Sequence, residues 1–288
     1  MLRGYLELLR PANVVTAVAD VLAGYAVAGR TNHRALAWLV GATVCLYAGG
    51  VVLNDFFDRQ VDAVERPERP IPSGRVSPGS AVLLGGTLLA AGAAAAAQAT
   101  LAAAMVAIAL ATLIVLYDAR LKRYSIAGPL NMGLCRGLNL LLGVAAVPAA
   151  LAGAWPIALI AVVYIAAVTV VSRGEVHGGK RGAATFALIS LSGVLVALLV
   201  IGRGARGFEQ FAAFALLAVL AYRVMPPFWR VRNDPTPAVI RRAVKAGVLS
   251  LVLVDAAISV AYAGPAYGAA VLATALVAGS LARLFSVT

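Results

Sequence analysis

The sequence predicts an all-α integral membrane protein: a bundle of nine transmembrane helices, or ten if the last apolar run also crosses, forming two related four-helix halves around a central cavity. Three observations predict it. Hydrophobic residues make up 62% of the 288 and charged residues only 12%, with a mean hydropathy of +0.91, whereas a soluble domain carries about a quarter charged residues. The apolar residues gather in runs close to the ~20 residues that a helix needs to cross a bilayer. Cationic residues occupy alternate gaps between those runs, as in a chain oriented by its basic loops.

The runs lie near 12–29, 35–53, 79–98, 100–117, 128–149, 154–171, 184–202, 208–224, 239–262 and 266–284. They are rich in Ala, Leu and Val with little alternation, so they read as helices rather than barrel strands. The first follows Arg3 and Arg10 and is long enough to span, so it reads as a retained helix and not a cleaved signal. The last two form either two crossings or a tilted or re-entrant hairpin. Cys45 and Cys135 lie inside runs and read as small buried hydrophobes. A single membrane domain, 1–288, accounts for the chain, with membrane lipid as its surroundings.

With the N-terminus inside, 19 of the 24 Lys and Arg fall on one side, Arg283 among them. The other side has only Arg30, Arg34, Arg203 and Arg206, and Arg136 lies within a run. So asymmetric a distribution places the long loops after helices two, four, six and eight in the cytoplasm. The net charge of +12 therefore reflects oriented insertion, not a nucleic-acid face. The expected location is a bacterial inner membrane, with the active site facing the cytoplasm. The polar loops after helices two and six are four helices apart, which is the basis for the two related halves.

The segment Asn54-Asp55-Phe56-Phe57-Asp58-Arg59-Gln60-Val61-Asp62 carries the most chemistry. If helix two continues through it, Asp55, Asp58 and Asp62 stand at i, i+3 and i+7 and share one face. Like charges so placed repel, and the cost rises at a membrane boundary unless a cation neutralises them. Mg2+ fits, because it takes oxygen ligands and joins one or two carboxylates to substrate phosphates. The bland reading is a solvated acidic helix end. A Pro-rich loop follows, Arg66-Pro67-Glu68-Arg69-Pro70-Ile71-Pro72-Ser73-Gly74, and sets Arg66 and Arg69 beside the acids. Guanidinium groups next to a metal-binding carboxylate face suit a diphosphate.

This ordered string, Asn54-Asp55-x-x-Asp58-x-x-x-Asp62-x-x-x-Arg66-x-x-Arg69-Pro70-x-x-x-Gly74, resembles the first aspartate-rich signature of the UbiA superfamily of intramembrane prenyltransferases. Leu9-Arg10-Pro11-Ala12-Asn13 resembles the start of that family's first helix. The resemblance implies Mg2+-dependent transfer of a prenyl group from an allylic isoprenoid diphosphate to a small acceptor. It also implies a diphosphate role for Lys122 and Arg123 in Tyr117-Asp118-Ala119-Arg120-Leu121-Lys122-Arg123, a turn that membrane anchoring alone would explain. The family's second acidic loop corresponds to Ser172-Arg173-Gly174-Glu175-Val176-His177-Gly178-Gly179-Lys180. There Glu175 stands for the first acid and Gly179 replaces the second, so one or two Mg2+ remain open. This string resembles the EboC-like branch, which implies a cyclitol-like acceptor, whereas the wider superfamily implies an aromatic one.

The expected metal ligands are thus Asp55, Asp58, Asp62 and Glu175, which carry catalysis. Arg66, Arg69, Lys122, Arg123 and Lys180 would meet the diphosphate. Asn13, Asn54 and Arg136 are acceptor candidates, with Asn131 beside them in helix five. Arg136 is costly at membrane depth and either faces the interior functionally or pairs structurally with Asp20 or Asp255. His177 is acid/base, metal ligand or structural. A transporter or non-catalytic protein on the same fold, and a transferase using another diphosphate donor, are the rival readings.

Overall fold

The computed structural model describes the backbone of residues 2–284, and among them the regular secondary structure is entirely helical. The side chain of Arg283, counted above on the cytoplasmic side, lies outside the described residues. A short α1 (Leu2–Leu9) precedes α2 (Pro11–Val27), α3 (His33–Glu65), α4 (Pro78–Ala99), α5 (Leu101–Ala119) and α6 (Ala127–Val144). Then come α7 (Leu151–Ser172), α8 (Arg181–Gly202), α9 (Phe208–Asn233), α10 (Pro237–Ala263) and α11 (Pro265–Leu284).

Seven of these, α3, α4, α5, α7, α8, α9 and α10, are long and apolar enough to cross a membrane. The other predicted spans appear as α2, α6 and α11. Of these, α2 has 17 residues and includes Asp20, and α6 has 18 and includes Asn131, Arg136 and Asn139. Helix starts follow local chemistry. Asn32, Ser77 and Thr100 cap α3, α4 and α5 by accepting from the backbone N–H three residues on, which satisfies an otherwise orphaned donor. Pro stands in the first turn of α2, α4 and α10, where its missing N–H costs nothing.

Two features position the site. First, α3 is 33 residues long, ~50 Å at 1.5 Å per residue, against ~30 Å of hydrocarbon. It therefore runs unbroken through the acidic string, meeting the condition on which the shared face depended. Second, the loop between α3 and α4 is packed down. Ile71 and Val76 are buried with Leu8 of α1, Val52 and Ala81, while Arg75 bonds Glu7 at 2.6 Å and the Glu68 carbonyl at 2.6 Å.

At the centre, α2 packs against α3, α6, α10 and α11. Its contact with α6 is backbone on backbone. A Cβ on Gly24 would lie 1.9 Å from the Leu140 carbonyl oxygen, and one on Gly143 2.1 Å from that of Val21. Small residues permit this close approach, as they do generally between helices in membranes. One apolar core joins α2 to α6 through Leu39, Leu46, Leu110 and Leu142, and another joins α6 to α10 through Tyr164, Leu191, Phe228 and Leu251.

Candidate active site

The last turns of α3 set Asp55 and Asp62 inward, 4% and 5% exposed, and Asp58 less deeply. Each acid meets a cation from a different element. Arg69, itself 9% exposed, reaches Asp62 at 2.7 Å and Asp55 at 3.4 Å. Arg10 reaches Asp55 at 2.5 Å from the junction of α1 and α2, where its backbone is left-handed with φ 45°. Non-glycine residues rarely adopt that conformation. Lys122, from the 3-10 turn Leu121–Arg123 after α5, sits 2.6 Å from Asp58. Three segments distant in sequence thus converge on the string the sequence singled out.

A cavity of about 350 Å³ opens beside this cluster, between α2, α3, α5 and α6. Arg10, Asn13, Asn54 and Asp118 line it together with apolar Leu46, Val51, Leu110, Ile114 and Met132, and Tyr47, Arg136 and Asn139 also reach its wall. Arg10 joins cavity to cluster, since it lines one and binds Asp55 in the other. Asn54 donates to buried Asp118 at 2.7 Å. Of the predicted acceptor residues, Asn13, Asn54 and Arg136 line the cavity. Asn131 is buried, donates to the Leu113 carbonyl at 2.9 Å and does not reach the cavity wall. Arg136 pairs with Asp20 at 3.1 Å, so of the two structural partners weighed, Asp20 holds it directly.

The second predicted loop, 173–180, leads into α8. Glu175 is half-buried. Burial raises its carboxyl above the ordinary 4.5, and the charges of Arg241 and then Arg66 act the other way. The influence of Arg66 shows that the loops after α3 and α7 come within electrostatic reach. Arg173 donates to the carbonyls of Lys122, Arg123 and Tyr124, fixing the turn that carries Lys122. Arg66, Arg123, His177 and Lys180 are exposed. Lys180, with Arg173 and Ser125, lines a separate 290 Å³ cavity.

The oxygen chemistry of the α3 acids fits Mg2+. Asp55 has both Asp58 and Asp62 as electrostatic neighbours, as Asp118 has Asp58 and Asp55. No three of His, Cys, Asp and Glu converge into a complete metal shell among the described residues. Mg2+ does not need one, since it commonly keeps waters and takes substrate phosphate oxygens beside one or two carboxylates. Sequence reasoning missed Arg10 and Asp118 as site residues. Both stand within strings it quoted, but only the fold turns them toward the acids.

Taken together, these features define an α-helical membrane protein with a cavity beside a cluster of carboxylates and fixed cations. The chain belongs to the UbiA prenyltransferase family, whose profile matches residues 15–245. Digeranylgeranylglyceryl phosphate synthase of Halobacterium salinarum is 34% identical over 260 residues, covering 86% of this chain and 94% of that protein. The namesake from Methanothrix thermoacetophila is 36% identical over 141 residues, 48% of this chain and 52% of its own. The chain thus spans about half the length of several curated relatives it matches. Among solved structures, a UbiA homolog from Archaeoglobus fulgidus bound to DMAPP and Mg2+ superposes with a TM-score of 0.67 at 18% identity, covering 93% of this chain and 99% of that one.

Proposed function

We propose that the chain transfers a prenyl group from an allylic isoprenoid diphosphate to a small acceptor at the cytoplasmic face of the membrane. The observation that carries this reading is Arg10, which ties the α3 aspartates to the wall of a cavity apolar enough for an isoprenoid. Family membership and the names of the relatives support it. The positive-inside distribution of Lys and Arg supports the cytoplasmic face. Nine or ten crossings in two four-helix halves fit the same reading, with α2 and α6 crossing beside the seven apolar helices named above and α11 making the tenth if it crosses.

In this reading Asp55, Asp58 and Asp62, with Glu175 from the second loop, would hold Mg2+, which supplies positive charge to the departing diphosphate. Arg10 and Lys122, each fixed beside one of these acids, and Arg69, which bridges two, offer guanidinium and ammonium N–H to the diphosphate oxygens as their charge grows. Arg66, Arg123 and Lys180 add positive charge from the exposed loops. As the carbon–oxygen bond breaks, its electron pair leaves with the diphosphate, and the electron-poor allylic carbon is left among Leu46, Val51, Leu110 and Ile114. Those side chains exclude water from it. The acceptor attacks that carbon and releases a proton. Asn13, Asn54 and Arg136 position it, with Asn131 behind them. An aromatic or cyclitol-like acceptor suits the sequence resemblance, while the relatives' name points to a glyceryl phosphate.

The test is release of diphosphate from a radiolabelled allylic diphosphate by the protein in nanodiscs. Mg2+-dependent release that disappears in Asp55→Ala and Asp58→Ala is expected. No release with any prenyl chain length, across broad acceptor pools, would leave a protein that kept the fold without the chemistry.

A further inference from the structure

The proposed chemistry leaves one buried charged group unused. Asp20 of α2 and Asp255 of α10 are both 0% exposed and lie within hydrogen-bond reach of each other. Asp20 Oδ2 accepts from Asn139 at 2.8 Å and stands in ion-pair contact with Arg136 at 3.1 Å. Asn139 is itself fixed, donating to the Ala17 carbonyl and accepting from Thr43 at 2.7 Å. Asp20 Oδ1 and both oxygens of Asp255, by contrast, find no donor among the described residues. Two carboxyls that face each other without a donor can bond only if a proton lies between them.

The charges give the same answer. Arg136 is the cation in ion-pair contact here, and it touches Asp20. Tyr164 of α7, an electrostatic neighbour of Asp255, donates its hydroxyl to the Gly247 carbonyl at 2.7 Å, and Arg223 of α9, itself exposed, turns its Nε to Ser250 at 3.3 Å. Ser259, one turn beyond Asp255, is buried and without a partner. Two ionised carboxyls and one guanidinium would leave an uncompensated negative charge inside the bundle, the costliest arrangement available.

We propose that Asp20 and Asp255 form a binding site for one proton within the membrane-embedded core, and that the protonated pair holds Arg136 against the cavity wall as a singly compensated cation. Asp255 is the acid, donating to Asp20. Asp20 is the carboxylate, facing Arg136 and Asn139. The wall then offers the cavity a guanidinium whose position is set from behind by α2 and α10. A sodium ion would supply the same single charge, with Asp20 Oδ1 and the two Asp255 oxygens as unpaired ligands among the described residues.

The test uses the full chain in nanodiscs, with aspartate carboxyl carbons labelled with carbon-13 and infrared spectra recorded near neutral pH in potassium and in sodium buffer. The difference between the parent and Asp255→Asn is expected to contain one protonated-carboxyl band that sodium does not alter. A difference showing only carboxylate bands overturns the proposal, and a band that sodium removes assigns the site to that ion instead. Thermal unfolding gives an independent check. Asp255→Asn keeps a donor toward Asp20 and is expected to melt near the parent, whereas Asp20→Asn takes the counter-ion from Arg136 and melts well below it. Equal tolerance of the two variants refutes the assignment. Should Asp20→Asn fail to fold at all, the parent and Asp255→Asn spectra still decide the matter. None of these readouts needs a substrate, so they stand or fall apart from prenyl transfer.

Discussion

Arg69→Met removes the cation that bridges Asp55 and Asp62, and its effect follows from the distances. At 2.7 Å and 3.4 Å, with an effective dielectric of about 20, the two attractions are worth about 6 and about 5 kcal/mol before desolvation is charged against them. All three side chains are less than a tenth exposed, so solvent screening relieves little of the loss. Breaking a buried pair by deleting one partner costs about 3–5 kcal/mol, because the surviving charge stays buried. Arg10 still neutralises Asp55 in the variant, which places the expected loss near the lower figure. Asp62 has no other cation in ion-pair contact among the described residues, so most of that loss belongs to it. Thermal unfolding of the purified protein without Mg2+ should fall by on the order of 10 °C. The double variant Asp62→Asn/Arg69→Met should recover a good part of the drop, since neighbours sharing one network couple strongly. Unfolding of Arg69→Met at the parent's temperature, or a double variant no more stable than the single, would refute the role given to the bridge.

Other perturbations carry equally definite expectations. Gly143→Ala drives a Cβ into the Val21 carbonyl of α2, which cannot move aside as a side chain could. A loss of at least about 1–3 kcal/mol is expected, seen as a lower melting temperature and a broadened gel-filtration peak. Asn54→Leu strands the buried Asp118 carboxyl at a cost of about 1–3 kcal/mol, and adding Asp118→Leu should restore most of it in the same melting assay. Because burial raises Glu175 above 4.5 in the folded protein, the folded state binds more protons there than the unfolded one. Its contribution to stability therefore falls as pH rises from about 4.5 through the raised value. Glu175→Gln should flatten that part of the pH–melting curve, and an unchanged slope would show that Glu175 does not titrate with folding.

Much of this was legible in the sequence because it depends on local periodicity. The apolar runs return as α2 to α11, most ends shifted by a few residues, while α3 continues past its run to Glu65 and α9 to Asn233; the acidic string stays helical because no Pro or Gly interrupts it before Arg66. The run read as 128–149 returns as α6 although it carries three strongly polar residues. Its Asn131, Arg136 and Asn139 make it look like a poor span, yet Asn139 and Arg136 spend their polarity on Asp20 of α2. A polar residue that is a defect in an isolated helix becomes a connector once its partner helix is present.

What the sequence concealed shares one physical cause. Arg10 and Asp55 are 45 residues apart, Asn54 and Asp118 are 64 apart, and Asn139 and Asp20 are 119 apart. No spacing rule reaches across such distances. In a soluble protein water could satisfy each of these groups separately, so one member would say little about the others. Inside a bilayer each charge must find an internal partner or lose its charge. Asp20, Arg136 and Asp255 fall in three different runs, and Arg241, Arg242 and Lys245 share a run with Asp255, so a count along the chain does not single them out. The helix packing does: it brings these three together, where they sum to minus one, and adds which carboxyl faces the guanidinium and which is left to carry the proton.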